Sequence, residues 1–393
     1  MSHSSTSRFP LTLLHLTDLH FGEVATRGHF WNSESPELAL AAHNRRGLLK
    51  SMLRDLRVQN LKPDLVVVTG DLLNQGDPAG VPLAVDFLIG LANGLGLART
   101  RISLVPGNHD LVRDQDPAKQ YDLFGQIWAQ FYEDTRITLD PATPPHLRVS
   151  HFDFANDLGV EVVGFNSCEE LDSTAGQKHG SIKAGQRDRG EELLFPSDGK
   201  GFFRVALMHH HLERPEGTIR DDYSVMDDAA AMIQWLTRHR FHLALHGHQH
   251  VDWQSIRTER DWTISIAAGS SAGVANYGRA EWNLQLGYQV VVVDNETSGR
   301  RIRREYDVQR TEWTAAGRTS AEQNLSFGAE SARAIKGTDA AIAKSGGDIL
   351  VEDTSSRTGG LRAEATGHGS IAIKHVEVDK DITVRTGASD PKA

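Results

Sequence analysis

Five short apolar runs in this chain stop on aspartate, asparagine or histidine, and that habit restricts its fold more than any other feature. The first ends TDLH (17–20), the second TGDLLNQ (69–75), the third PGNHD (106–110), a middle one MHHH (208–211) and a late one GHQH (247–250). Runs this short and this rich in Leu and Val read as strands covered on both faces. Between the first three lie helical patterns. LALAAHNRRGLLKSMLRDLRVQNL (38–61) puts Leu48, Leu49, Met52 and Leu56 on one stripe, and AVDFLIGLANGLGL (84–97) gives a second candidate. Later runs, FFRVALMH (202–209), FHLALHG (241–247), WTISIAAG (262–269), YQVVVVD (288–294) and RRIRREYDV (300–308), repeat the strand signal with fewer helices between them. This order predicts an α/β fold, layered as an αββα sandwich rather than as a single doubly wound sheet.

Ligands of open α/β sheets bind outside the carboxyl ends of strands, so the five polar ends can converge on one crevice. In extended backbone, residues at i and i+2 face one side, which makes pincers of Asp18 with His20 and of His248 with His250. Carboxylate, imidazole and amide oxygen without thiolate suit Mn²⁺, Fe, Zn²⁺ or Mg²⁺. Cys168 is the single cysteine and reads as a small core residue. Asp18, His20, Asp71, Asn108, one histidine of MHHH, His248 and His250 make seven ligands. A closed zinc site needs four, whereas two adjacent ions that share a carboxylate and leave positions for water need about this many. Gly22, Gly70, Gly107 and Gly247 stand beside the ligands, where backbone must approach a charged centre closely. Each residue alone has a plainer reading: Asp18 and Asp71 as helix caps, Asn108 as a turn residue, His248 and His250 as a surface pair. The plain readings must all coincide to replace the metal site.

Taken in order, Asp18-Leu19-His20, Gly70-Asp71, Gly107-Asn108-His109-Asp110, the histidines at 209–211 and Gly247-His248-Gln249-His250 resemble the motif series of the calcineurin-like metallophosphoesterase superfamily. The resemblance covers roughly residues 11–308. It implies a ββ sandwich flanked by helices and a pair of divalent ions, with Mn²⁺, Fe²⁺/Fe³⁺ or Zn²⁺ as candidates. It further implies that Asp71 bridges the ions, that Asp18, His20 and His250 hold one, and that Asn108, His209 or His210, and His248 hold the other. The fourth motif runs HHHLER without the family's usual proline. Placing Leu212 at the proline position selects His210, and counting from the strand end selects His209. The implied chemistry is phosphoester hydrolysis by a metal-bridging hydroxide. His109 is the candidate acid, since it neighbours Asn108 in what reads as extended backbone and would point away from the ions. Asp110 is assigned a supporting role, orienting a histidine or capping a helix.

DLHFG and HHH resemble the cyclic-nucleotide phosphodiesterase branch, so the expected substrate is a nucleotide or other small phosphodiester. A nuclease acting on DNA or RNA ends is the alternative, although a formal charge of −10 provides no broad basic footprint. FGQIWAQFYED (124–134), PATPPH (141–146), KHGSIKAGQRDRG (178–190) and HLERPEGTIRDDYSVMDD (211–228) are expected to wall the site, with Lys178, Lys183 and Arg187 near the phosphate. RRIRRE (300–305) reads as an exposed face. The N-terminus lacks a secretory signal and no run is apolar enough to span a membrane, so a cytoplasmic location is expected.

Aromatics nearly vanish after residue 312. In the remainder, AKSGGDILV (343–351) and ATGHGSIAI (365–373) share the pattern Ala, three residues, Gly, one residue, Ile, one residue, Val or Ile. The expected division is a flexible start (1–10), a metallophosphoesterase domain (11–310), a linker (311–340) and a small repetitive β tail (341–393) of rungs or hairpins, or partly disordered. That tail is a candidate for binding a partner or for self-association.

Overall fold

The computed structural model describes residues 9–22, 45–112, 119–137, 148–168, 179–195, 202–214, 225–273, 286–307, 310, 312–315 and 322–329, and six short strands between 349 and 387. The chain divides into two units, Met1–Gly328 and Ala329–Ala393. Short helical turns aside, the first unit begins β1 (Leu11–Leu16), α1 (Arg45–Val58), β2 (Leu65–Thr69), α2 (Gly80–Leu95), β3 (Ile102–Val105), α3 (Asp122–Phe131), β4 (Ser150–Phe154) and β5 (Val160–Gly164). It continues through α4 (Ala184–Leu193), β6 (Phe203–Leu207), α5 (Ala229–Arg238), β7 (Leu243–His246), β8 (Trp253–Glu259) and β9 (Trp262–Ala268). β10 (Gly287–Val293), β11 (Ser298–Asp307), β12 (Glu312–Ala315) and β13 (Glu322–Ser326) complete it.

Two mixed sheets face each other. One runs β12-β11-β10-β1-β2-β3, with β13 also paired to β11, and the other runs β4-β5-β6-β7-β9-β8. β1, β2 and β3 are mutually parallel, as are β5, β6, β7 and β9. Strand alternation sorts the core. On β6, Val205 and Leu207 join a cluster with Leu13, Val66 and Val290 between the sheets, while Ala206 joins Met232 and Leu236 of α5 on the other face. This is the αββα sandwich the strand order predicts, and parallel central strands bring several carboxyl ends to one rim.

On α3, Phe124, Ile127, Trp128 and Phe131 recur at helical spacing and are all buried. Each such side chain removed from water contributes roughly 1.5–3 kcal/mol. Asp55 ties α1 to the first sheet, accepting from Tyr288 Oη (2.5 Å) and from Arg304 Nη2 (2.6 Å).

The structure corrects several expectations. Part of the glycine-rich stretch 178–190, expected to wall the site, enters a helix over 184–193, and Gly190 is there for packing. A Cβ on it would lie 3.0 Å from the Phe165 ring and 3.2 Å from the Trp235 ring. The RRIRRE stretch is not an exposed face. Arg301 is fully buried, donates to the carbonyls of Trp253 (2.9 Å) and Ala268 (3.1 Å) and to Gln289 Oε1 (2.9 Å), and forms an ion pair with Asp252 (2.7 Å). A buried guanidinium is tolerated when its donors are satisfied in this way. Part of the stretch 311–340, expected as linker, forms β12 and β13 on the first sheet, where Trp313, Leu325 and Phe327 are buried.

The second unit contains β14 (Ile349–Glu352), β15 (Ser355–Ser356), β16 (Arg362–Thr366), β17 (Ile371–Lys374), β18 (Glu377–Val378) and β19 (Thr383–Gly387). β14 pairs with β17, β15 with β18 and β16 with β19, each parallel. Tight hairpins join antiparallel strands, so these pairs are rungs of a coil with a step of about 22 residues.

Candidate metal centre

The rim holds the polar residues because each central strand stops just before them. β1, β2 and β3 deliver Asp18, His20, Asp71, Asn108 and His109 from one sheet, while β6 and β7 deliver His209, His248 and His250 from the other. The pincers do not arise from extended backbone. Asp18 (φ 54°), His20 (46°), Asp71 (52°), His248 (85°) and His250 (57°) all lie in the left-handed region. Non-glycine residues enter it at a cost of about 1–3 kcal/mol each, and such strain gathers at functional sites. Hydrogen bonds between loops hold it: Asp18 N–H to Gly70 O (3.1 Å), His20 N–H to Asp71 O (2.9 Å) and Gly247 N–H to His209 O (3.0 Å). Gly70, at φ 88°, has no room for a side chain, since a Cβ would sit 2.7 Å from both Gly107 Cα and His209 Nδ1.

Two clusters form. In the first, Asp18 Oδ1 and His20 Nε2 lie 3.2 and 3.2 Å from His250 Nε2, and Asp18 Oδ1 is 3.8 Å from His20 Nε2. In the second, His209 Nε2 faces Asn108 Oδ1 (3.0 Å), His248 Nδ1 (3.1 Å) and Asp71 Oδ2 (3.3 Å). Asp71 Oδ2 also lies 3.7 Å from His20 Nε2, so one carboxylate oxygen stands between the clusters. The other oxygen, Oδ1, accepts the His109 backbone N–H at 2.8 Å.

These donors suit a cation. One proton on His209 Nε2 cannot serve three facing atoms at once, and Asp18 Oδ1 is buried without a hydrogen-bond partner. Ligands bound at about 2.0–2.2 Å around one ion are separated by roughly 3–3.6 Å, close to the spacings above. The electrostatics agree. Burial acts to lower the His209 pKa, but the Asp71 carboxylate overrides it and raises the value to about 9. Burial acts to raise Asp18, and His250 outweighs it, bringing the carboxyl down to about 2. Burial likewise acts to raise Asp71, and His209 holds it well below the carboxylate range. A charge environment that stabilises a proton among carboxylates also stabilises a divalent ion.

His209 and His210 part ways here. His209 Nδ1 donates to Thr69 O (2.8 Å), which leaves Nε2 for the cluster. His210 Nδ1 faces Ser167 Oγ at 2.9 Å, and that hydroxyl also accepts the backbone N–H groups of His209 (3.1 Å) and His210 (3.0 Å). With its lone pairs so engaged, the Ser167 hydroxyl proton points to His210 Nδ1. The ring packs 4.4 Å from that of His248, and it is not among the converging groups.

His109 does not sit in extended backbone. Asn108–Asp110 form one turn of 3-10 helix, and a His109 ring nitrogen lies within 4.8 Å of ligand atoms of His20 and Asp71. Its Nδ1 accepts the Gln75 N–H at 3.3 Å, which leaves the proton on Nε2. Of its two expected roles Asp110 takes the cap, closing a capping box with Gly107 at the start of that turn. Its oxygens accept the backbone N–H of Leu73 (2.7 Å) and Gly107 (2.8 Å), tying the loops after β2 and β3 together, and burial with nearby Asp71 raises its pKa to about 7. Sequence reasoning missed Ser167 and Thr17, whose Oγ1 donates to Asp18 Oδ2 at 2.7 Å. The signal available was a hydroxyl residue one to three positions beyond a buried strand. Of the expected phosphate cations, Arg187 instead pairs with Asp228 at 2.7 Å, and Lys178 and PATPPH lie outside the described residues.

No described helix is long and apolar enough to cross a membrane. Comparison with curated protein sequences yields no match. Among solved structures, a purple acid phosphatase from yellow lupin (Lupinus luteus) seeds is similar in fold. It is 12% identical with a TM-score of 0.51 over 82% of this chain and 54% of its own, so this chain spans about half its length. The protein TT1561 of Thermus thermophilus is 10% identical over 78% of this chain and 97% of its own, with a TM-score of 0.35. The phosphopantetheinyl hydrolase of Mycobacterium tuberculosis is 16% identical over 67% and 90%, with a TM-score of 0.30. The family model for calcineurin-like phosphoesterases matches residues 11–252, which take in every motif described above, and the chain belongs to that family.

Proposed function

We propose that the protein is a binuclear metal-dependent phosphohydrolase and, within that class, a phosphodiesterase acting on a nucleotide or other small diester in the cytoplasm. The observation that carries the reading is Asp71 Oδ2, a single oxygen facing ring nitrogens of both clusters. Asp18, His20 and His250 would hold one ion, Asn108, His209 and His248 the other, and Asp71 would be shared. When bound, such a pair neutralises phosphoryl oxygens and lowers the pKa of water.

The chain's own residues do the rest. The Asp71 and Asp18 carboxylates are held ionised by the histidines around them, ready as ligands near neutral pH. Thr69 O fixes the His209 tautomer, and Gln75 N–H fixes that of His109. His109 and His248 are the partly exposed members, so substrate approaches from their side. His109 Nε2–H can then hydrogen-bond a phosphoryl oxygen or the leaving oxygen and stabilise the charge that builds there.

The test is hydrolysis of an aryl phosphodiester and the matching monoester by metal-stripped protein, with Mn²⁺, Zn²⁺ or Mg²⁺ restored and Asp71→Asn as control. Metal-restored diester cleavage that the control lacks supports the reading. Cleavage of the monoester alone would reject the diesterase assignment, and cleavage confined to long oligonucleotides would move it to a nuclease.

A further inference from the structure

The second unit contains a short parallel ladder. Among the described residues its six strands form three two-stranded parallel sheets, so every strand has one partner and one open edge. Two-stranded sheets are marginal alone, and solenoid repeats normally need about three or more coils to bury a continuous core. Open edges invite another strand.

The registers indicate which strand fits. Ile349 stands opposite Ile371 and Glu352 opposite Lys374 in one pair, and Glu364 stands opposite Arg385 in another. At both of these positions the first coil carries an acid and the second a base. The open edge of the second coil therefore repeats the basic positions to which this chain's own first coil is matched. Placing a second copy's first coil there reproduces an existing ladder, acid over base, with the same Ile-on-Ile position. The reverse arrangements put glutamates at 352 and 364 against their own copies, or bases against bases, which costs stability.

We propose that the protein self-associates through this unit, the second coil of one copy stacking parallel and head-to-tail on the first coil of the next. Such a contact is heterologous, and successive copies extend into short stacks unless an end is covered. It juxtaposes several phosphoesterase units.

The experiment uses the full-length chain. Light scattering across a concentration series reads the mass of the wild type, of the acid-reversed variant Glu352→Lys/Glu364→Lys, and of the four-fold swap that adds Lys374→Glu and Arg385→Glu. The wild type should exceed the 43.3 kDa monomer increasingly with concentration. The acid-reversed variant should dissociate at least about tenfold more readily, as two attractive pairs become repulsive. The swap restores every pairing within and between copies and should regain assembly, while differently labelled swap and wild-type chains should not mix. That restoration separates a stacking defect from a mere loss of the coil. A wild type that stays monomeric, assembly indifferent to the reversals, a swap that fails to recover, or free mixing of swap with wild type would each overturn the proposal.

Discussion

Two buried serines offer a sharp test of how the metal loop is held. Ser167 and Ser181 are both fully buried. The Ser167 hydroxyl accepts two backbone N–H groups, from His209 and His210, and points its own proton to His210 Nδ1. The Ser181 hydroxyl is buried with no hydrogen-bond partner. Ser167→Ala removes three hydrogen bonds and strands two buried donors. At about 1–3 kcal/mol for each buried group left unsatisfied, the loss should be about 2–6 kcal/mol. Ser181→Ala removes a hydroxyl that gains nothing from burial, so it should cost less than about 0.5 kcal/mol or stabilise slightly. Urea denaturation of both metal-stripped variants, followed by tryptophan fluorescence, measures the difference. Equal effects of the two substitutions, or a cost below about 1 kcal/mol at Ser167, would refute this account of how His209 is positioned.

His209→Ala should lose one of two bound metal equivalents by elemental analysis, whereas His210→Ala should keep both, since only His209 Nε2 faces Asp71 and Asn108. His109→Gln should retain both ions and lower kcat by about 10²–10⁴ for substrates with poor leaving groups, with a smaller loss for activated aryl esters, as measured in steady-state assays. Because the His209 pKa in the metal-free protein is raised to about 9, an ion must displace a proton at lower pH. Apparent affinity for the second ion should therefore rise about tenfold per pH unit between roughly 7 and 9 and then level, as read by chelator competition. A flat profile would contradict the raised value.

The layers, and the convergence of the polar strand ends on one rim, were legible because buried parallel strands are written as continuous apolar runs, and because each run stops just before a residue that the structure brings to that rim. The choice between His209 and His210 was not legible. It depends on Ser167, which lies 42 positions away in sequence and meets both backbone N–H groups only once β5 and β6 pair. The left-handed backbone at Asp18, His20, Asp71, His248 and His250 was also hidden, since nothing in Asp or His types demands it. It is imposed by hydrogen bonds between loops that follow different strands. β8 escaped notice because WQSIRTE is only partly buried, and β12 and β13 because a sparsely aromatic stretch can still pair when Trp313 and Phe327 reach the core. In the tail, the spacing of the repeat was plain, but parallel rungs and hairpins share the same strand pattern until pairing is seen.

The most direct test of the central claim is the electron paramagnetic resonance spectrum of protein loaded with two equivalents of Mn²⁺. Two ions sharing Asp71 Oδ2 would lie about 3.5–4 Å apart, and the account predicts an exchange-coupled pair that Asp71→Asn abolishes. The spectrum of isolated Mn²⁺ at two equivalents, unchanged by that substitution, would contradict a shared centre.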